Sequence, residues 1–292
     1  MKTLYLVDAS IYIFRAYFSI PETMTGADGK PVNAVYGFAD FLHQLATLAK
    51  GRHYVVAFDE SLTTSFRNDL YPPYKANREL PPPELAAQLK ACQELAGILG
   101  FRTYASERYE ADDLIGTVAR QMRTKDFRMA YVTGDKDLAQ LLKPGDIWWN
   151  FARGEKLNPS TTREKLGVRP DQVVDLLALM GDAVDNIPGV PGIGQKTATV
   201  LLTHLKSLEK IYSDLDRVAQ LPLRGARRAQ LQLEQHRDQA YLSQSLARIS
   251  ENAPIRCTEA SSKKQPVRPR KLEAFCSRHR FSERMHQRLL ST

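Results

Sequence analysis

HYVVAFD, residues 53–59, is a run of β-branched, aromatic and small apolar residues that ends on a carboxylate. TLYLVD (3–8) and RMAYVTGD (128–135) have the same form, each closing on Asp. A strand this apolar on both sides belongs to a sheet covered on both faces, which is the setting of parallel strands. FRTYAS (101–106) reads as a further strand. The intervening stretches have helical spacing: NAVYGFADFLHQLATLAK (33–50) sets Val35, Phe38, Phe41, Leu42, Leu45 and Leu48 on one face. Glu84–Gly97 follows a Pro81–Pro83 run that suits a helix start. Ala111–Lys125 is a third helix, and Lys136–Leu142 opens a fourth. The alternation predicts an α/β fold with a mostly parallel sheet and flanking helices. Ligands of such sheets bind beyond the carboxyl ends of the strands, and Asp8, Asp59 and Asp135 are delivered to that edge.

Beyond this core the character changes. Residues 60–83 carry no sustained apolar period and contain Pro72 and Pro73, so an irregular or mobile segment is expected. From Arg169 onward the pattern is helical with Gly/Pro punctuation: DQVVDLLALMGD (171–182), the loop NIPGVPGIG (186–194), then QKTATVLLTHLKS (195–207). Helices are expected over 224–236, 237–249 and 272–290, with SSKKQPVRPRK (261–271) as a basic connection.

The chain has 292 residues, 41 Lys+Arg against 33 Asp+Glu, and a formal charge of +8. At 43% hydrophobic and 25% charged it is ordinary globular composition, which excludes collagen, disordered and disulfide-scaffold classes. No apolar run approaches the roughly 20 residues of a membrane span. Asp8 interrupts the apolar N-terminal stretch, so it is no secretory signal. Cys92, Cys257 and Cys276 form no C-x-x-C pair and the histidines no H-x-x-x-H pair. That favours a reducing compartment and argues against structural zinc. A surplus of positive charge suits a polyanionic partner without requiring one.

The acids are more telling. Glu110, Asp112 and Asp113 lie in YEADDLIG, Asp135 and Asp137 in TGDKDL, and Asp182 and Asp185 in MGDAVDN. Any one cluster reads most simply as the acidic first turn of a helix. Asp8 and Asp59 follow buried strands, where that explanation does not apply. Carboxylates converging on one edge repel unless cations neutralise them, and an all-oxygen set suits Mg2+ or Mn2+. Two such ions are a known solution for phosphodiester hydrolysis. Basic groups should complement them at the scissile phosphate; the candidates are Arg15, Lys75 and Arg78. Setting these nine carboxylates aside from the 33 acids leaves 24 against 41 bases, an excess of 17 spread over the remaining surface.

GVPGIGQKTA (189–198) is neither a P-loop, since Gln195 separates Gly194 from Lys196, nor a dinucleotide fingerprint, since position 197 is Thr. It remains a Gly-rich turn opening a helix, which can point backbone N–H groups and Lys196 at a DNA phosphate.

Taken together, LVD with Arg15 following, VVAFD, FRNDLYPPYKANR, YEADDLIG, VTGDKDLAQLL, MGDAVDNIPGVPGIGQKTA and RKLEAFCSRHRF resemble the structure-specific 5′-nuclease (flap endonuclease) family, in particular the 5′–3′ exonuclease domain of bacterial DNA polymerase I. The resemblance implies a PIN-like core (1–168) and a helix–three-turn–helix (H3TH) duplex-binding domain (169–255), followed by a C-terminal segment (256–292). An arch over about 65–95 would pass the 5′ single strand. By motif position it implies two divalent cations held by Asp8, Asp59, Glu110, Asp112, Asp113, Asp135, Asp137, Asp182 and Asp185. Tyr74, Lys75 and Arg78 would grip or steer the scissile phosphate. Gly189, Gly192, Gly194, Gln195, Lys196 and Thr197 would hold the uncleaved duplex strand, with K+ bound at that loop. The expected substrates are DNA with 5′ flaps, nicks or ends, and RNA–DNA junctions, acted on by a monomer away from membranes. The polymerases continue far beyond this domain whereas this sequence stops at Thr292; the Met1 start close to the first strand, with that ending, makes a standalone chain the expectation over an excised domain, and the resemblance implies a cytoplasmic, bacterial nucleoid-associated setting. The competing readings are a DNA-structure-binding module without turnover, which nine retained acids disfavour, and a PIN-type ribonuclease.

Overall fold

The structure is a computed structural model describing residues 2–61 and 63–292; Met1 and Leu62 lie outside the described residues. Strands β1 (Lys2–Asp8), β2 (His53–Asp59), β3 (Arg102–Ser106), β4 (Phe127–Val132), β5 (Ile147–Asn150) and β6 (Glu155–Leu157) form one sheet in the order β3-β2-β1-β4-β5-β6. All neighbours are parallel except β5–β6. Register follows the apolar pattern: Leu6 pairs with Val55 on one side and Tyr131 on the other. The order reverses between β1 and β4, so the two strands flanking that switch point open a crevice at their carboxyl ends.

Helices cover both faces. Alternate strand residues divide between two cores. Leu4, Leu6, Val55 and Ala57 pack toward α5 (Ala111–Arg123), while Val7, Tyr54, Val56 and Phe58 pack toward α1 (Ala9–Ser19), α2 (Asn33–Ala49) and α4 (Pro83–Ile98). The arch expected over about 65–95 is divided. Its second half is α4, whose Leu85, Cys92 and Leu95 are buried in the core. The Gln88 side chain of α4, 3% exposed, accepts from the Ala34 and Val35 amides and so caps α2 from across the interface. Its first half contains α3 (Phe66–Leu70) and a run of turns through Arg78, held in place rather than loose. Only the stretch around 79–82 keeps the open character read from the prolines.

The second half is helical as expected: α7 (Val173–Met180), α8 (Gln195–Leu205), α9 (Leu208–Ser213), α10 (Ala226–Gln235) and α11 (Arg237–Ala247), after the short α6 (Pro159–Leu166). The expected 272–290 helix is two, α13 (Pro269–Arg278) and α14 (Glu283–Leu290), separated at Arg280 with φ 50°; the four-residue α12 (Glu259–Ser262) precedes them. The C-terminal segment returns to the first half: Lys264 and Gln265 amides bond to Arg52 and Gly100 carbonyls, and Leu272, Phe275, Met285 and Leu289 bury beside α2 and α4. The helix expected from Lys136 is a single 3-10 turn, Asp137–Leu141. No helix among the described residues is long and apolar enough to cross a membrane.

Candidate active site

The crevice at the switch point is a cavity of about 320 Å³ whose walls carry Asp8, Asp59, Glu110, Asp112, Asp135 and Asp185, together with Lys75 and Arg78. Asp8 ends β1 and is 5% exposed; Thr133, just past β4, donates its hydroxyl to Asp8 Oδ2 at 3.1 Å, joining the two strands that define the switch. Asp135 is set two residues further, its amide donating to Thr133 Oγ1 at 3.0 Å while its Oδ1 accepts from the Asp137 amide at 2.9 Å. Asp59 ends β2 and accepts from the Ser61 amide and hydroxyl. Glu110 and Asp112 stand at the N-terminus of α5, where the helix dipole favours negative charge.

Packing these acids together in a buried crevice works against their charge. Burial, reinforced by Asp135 and Asp59, raises the Asp8 carboxyl to about 7, although the Thr133 and Ser10 hydrogen bonds hold it down in part. Burial and then Asp135 push Asp137 up to about 8. Asp59, Asp112 and Asp135 are raised for the same first reason, burial, with neighbouring carboxylates adding in each case. Glu110 differs: burial would raise it, but Lys75 and Arg67 beside it more than offset that, and its pKa is lowered.

Part of the negative charge is met internally. Lys75 Nζ bonds to Glu110 and lies 3.7 Å from Asp185, Arg78 pairs with Asp185, and Lys136 lies 3.3 Å from Asp182. Among the described residues no three of the acids are drawn together as a closed cation cage, and Glu110 and Asp185 are turned toward Lys75 and Arg78. The donor set nonetheless fits hard cations. Asp137 Oδ1 is a buried oxygen without a hydrogen-bond partner, and a buried acceptor left in that state calls for a counter-charge; Glu110 Oε1 also lacks a hydrogen bond but has Arg67 Nη1 at 3.8 Å.

Five of the residues expected at this site do not line the cavity: Asp137 and Asp182, which adjoin Asp135 and Lys136, and Asp113, Tyr74 and Arg15, which sit elsewhere. Asp113 is fully buried and faces away from the cavity: Arg67 clasps both its oxygens at 2.8 Å, and the Ser250 and Glu110 amides donate to them. It took the helix-start role that any acidic cluster can take. Tyr74 is 3% exposed and turned inward: its hydroxyl lies 3.3 Å from Glu110 Oε2 and 3.4 Å from Asp185 Oδ2, bracing those carboxylates. Arg15 is exposed on α1 and lines a separate groove with Tyr12, Asp40, Phe41 and Phe151. Two turns separate it from Asp8, and the intervening Ser10, Ile11 and Phe14 line the acidic cavity instead.

Arg67 was not singled out in the sequence. It is 3% exposed and also donates to the Leu246 and Arg248 carbonyls, so it fastens α5 to the end of α11. An Arg in a polar stretch, FRNDL, gives no sign of burial until its partners are known.

The Gly-rich turn also divides. Gly189 is internal: φ is +62°, its amide donates to Ser243 Oγ, and a Cβ there would come within 2.3 Å of the Gly181 nitrogen. It shapes the turn and does not offer its N–H to a strand. Ile193 is buried and anchors the loop, whereas Gly192, Gly194, Gln195 and Lys196 are exposed and Thr197 half-buried. The first turn of α8 has no side-chain cap, so its leading N–H groups face outward. Of the carbonyls in the turn, Gly189 O accepts from Gln239 and Val190 O from Ile193.

A sheet whose switch point is ringed by buried carboxylates, followed by a helical unit with an outward Gly-rich turn, defines a nuclease. The chain matches the family models described as 5′–3′ exonuclease, N-terminal resolvase-like domain, over residues 3–167, and 5′–3′ exonuclease, C-terminal SAM fold, over residues 168–270. It belongs to the 5′–3′ exonuclease family. It is 34% identical over 257 residues to a 5′–3′ exonuclease of Buchnera aphidicola subsp. Schizaphis graminum, covering 88% of this chain and 89% of that one. It is 42% identical over 253 residues to DNA polymerase I of Pseudomonas aeruginosa; there the match covers 86% of this chain but only 28% of the polymerase. The fold is shared with T5 5′-exonuclease, solved with bound divalent metal ions (zinc), at a TM-score of 0.70 and 20% identity over 99% of this chain and 97% of that one. It is shared also with the catalytic core of Rad2 in complex with DNA substrate, at 0.62 and 14%, over 99% and 92%.

Proposed function

We propose that this chain hydrolyses DNA phosphodiester bonds near 5′ ends, at flaps, nicks and RNA–DNA junctions, leaving 5′-phosphate and 3′-hydroxyl products, with two Mg2+ (or Mn2+) ions. The observation that carries the reading is the crevice itself: carboxylates gathered at the ligand-binding edge of the sheet, with raised pKa values at Asp8, Asp59, Asp112 and Asp135 and, beside Asp135, at Asp137, whose Oδ1 is buried without a hydrogen-bond partner. Bound divalent cations would supply a water acidified enough to react near neutral pH and a counter-charge for the leaving oxygen. Asp8, Asp112 and Asp135, with Asp59 and Glu110 adjoining, would hold one ion; Asp137, Asp182 and Asp185 would hold the other. Lys75 and Arg78, which line the same crevice beside Glu110 and Asp185, would offset the charge of an entering phosphate. Gly192, Gly194, Gln195, Lys196 and Thr197 grip duplex phosphates through outward N–H groups and one ammonium. That turn is also where a K+ ion would sit against backbone carbonyls.

The direct test is a 5′-labelled flap duplex with Mg2+, with EDTA, and with Asp135→Ala, run beside single-stranded RNA. Cleavage of the flap that requires Mg2+ and is lost in the variant supports the reading. No cleavage by the wild type would leave a binding module, and preference for RNA would leave a ribonuclease. Lys75→Ala is expected to slow cleavage about 100-fold, of the order seen on removing one charge-stabilising donor, while duplex affinity measured by fluorescence anisotropy changes less than threefold. An equal loss in both would remove Lys75 from the scissile phosphate.

The raised carboxyls also set a pH response. Asp8 goes from 3.8 to about 7 on folding and Asp137 to about 8. The native state therefore holds protons that the unfolded chain has released, and stability in EDTA falls as pH rises from about 4 to about 8. Cations bind the deprotonated acids, so Mg2+ at about 100 times its Kd contributes about 2.7 kcal/mol. That corresponds to a melting temperature roughly 5–10 °C higher, with the gain largest at pH 8. A melting temperature indifferent to both pH and Mg2+ would count against a metal site here.

A further inference from the structure

Besides the ion pairs of Lys75 and Arg78 with Asp185, the segment Pro73–Arg78 is fastened to the loop Ala183–Asn186 by hydrogen bonds to backbone carbonyls. A two-way backbone pair between Asp182 and Ile187, at 3.0 and 2.8 Å, closes this loop and turns its carbonyls outward. Three of them accept from the segment: Ala183 O from Asn77 Nδ2 at 2.8 Å, Val184 O from Arg78 Nε at 3.5 Å, and Asp185 O from the Lys75 amide at 3.0 Å. In return Asn186 Nδ2 donates to Pro73 O at 2.6 Å. Lys75 and Asn186, the two residues at the heart of this exchange, are both left-handed, with φ 55° each. A lysine adopts that conformation only when its surroundings dictate it. Pro72 and Pro73 stiffen the approach by fixing their own φ.

We infer that Asn77 and Asn186 are positioning residues that hold the root of Lys75 at the mouth of the acidic crevice whatever the charge state of the carboxylates. The inference rests on the reading of Lys75 given above. The ion pairs of Lys75 with Glu110 and Asp185 are lost once cations take those carboxylates, and an ammonium held by nothing else would swing free with them. The Asn77, Asn186 and Lys75 amide-to-carbonyl bonds join neutral groups, so they persist. Lys75 then keeps its backbone in place and only its side chain turns, from carboxylate to incoming phosphate. The two asparagines are chemically silent, touch no reacting atom, and come from the two family units that meet at this point.

Single-turnover cleavage of a 5′-flap duplex in saturating Mg2+ tests this with Asn186→Gly, Asn77→Ala, Lys75→Ala and the doubles carrying Lys75→Ala. Glycine at 186 keeps the left-handed backbone and removes only the amide, and Asn77 is exposed, so both variants are expected to melt within about 2 °C of wild type. Each single asparagine variant should cut about tenfold more slowly at saturating enzyme, with flap affinity within twofold, and should add nothing to Lys75→Ala in the double. Gln at 77, which retains the donor, should restore at least half the rate. Wild-type rates in Asn186→Gly and Asn77→Ala, or losses that multiply with Lys75→Ala, would overturn the positioning role. A Lys75→Ala variant that itself cuts normally would instead overturn the reading of Lys75, which separates the two failures.

Discussion

Asp112→Asn is expected to abolish flap cleavage by a thousandfold or more while raising the melting temperature of the protein in EDTA. The first part follows from its place on the crevice wall, where its carboxylate would hold a cation. Losing about 4 kcal/mol of charge stabilisation at a reacting phosphate corresponds to about three decades in rate. The second part follows from the same geometry without the cation. Burial, then Asp135 and then Asp8, raise the Asp112 pKa well above its ordinary value, so at pH 8 this group is either charged against its neighbours or holding a costly proton. Asparagine removes that conflict and keeps the shape. Cleavage kinetics and a thermal melt at pH 8 in EDTA check both halves. A variant that loses activity and stability together would place Asp112 among the structural acids instead.

One residue along the chain the sign reverses. Asp113→Ala, or Arg67→Ala opposite it, leaves a buried charge with no partner, at a cost of about 3–5 kcal/mol. In a chain of this size the melting temperature should drop by about 10 °C. Asp113 is fully buried and Arg67 is 3% exposed; the pair exchanges two 2.8 Å bonds, and Arg67 spends its remaining donors on Leu246 and Arg248 carbonyls. For Asp113→Ala the loss should appear equally with and without Mg2+, because Asp113 does not line the crevice. An Arg67→Ala protein that melts like wild type but fails to respond to Mg2+ would instead assign the pair to the cation site.

These adjacent aspartates show how far the sequence could be read. In YEADDLIG all three acids look alike, since each is a carboxylate beside an apolar run. Which of them faces the crevice is a matter of 100° of helix rotation per residue. Asp112 comes out on the wall and Asp113 turns under the helix, where only the partner, Arg67, forty-six positions earlier, makes burial tolerable. Tyr74 has the same history. Its place in YPPYKANR suggests a surface contact with DNA, and nothing local shows that Glu110 and Asp185 will close over it. Gly189 and Gly192 are equally glycine in the sequence, yet one is pressed against Gly181 and the other has open space beside it.

What the sequence determined alone was the frame. Apolar strands ending in Asp, alternating with helical periods, require a parallel sheet covered on both faces, because such strands have no polar side to give to water. That same pattern brings Asp8, Asp59 and Asp135 to one edge, since parallel strands all end there. It did not reveal β5 and β6, short strands of four and three residues that gain their place only by pairing with β4 and each other. Only the tertiary structure decided the strand order, which places the crevice between β1 and β4, and the division of the acids into those that face it and those that brace it. The reason is physical: strand and helix periods depend on neighbours a few residues away, whereas the charge state and exposure of a carboxylate depend on groups brought close from anywhere in the chain.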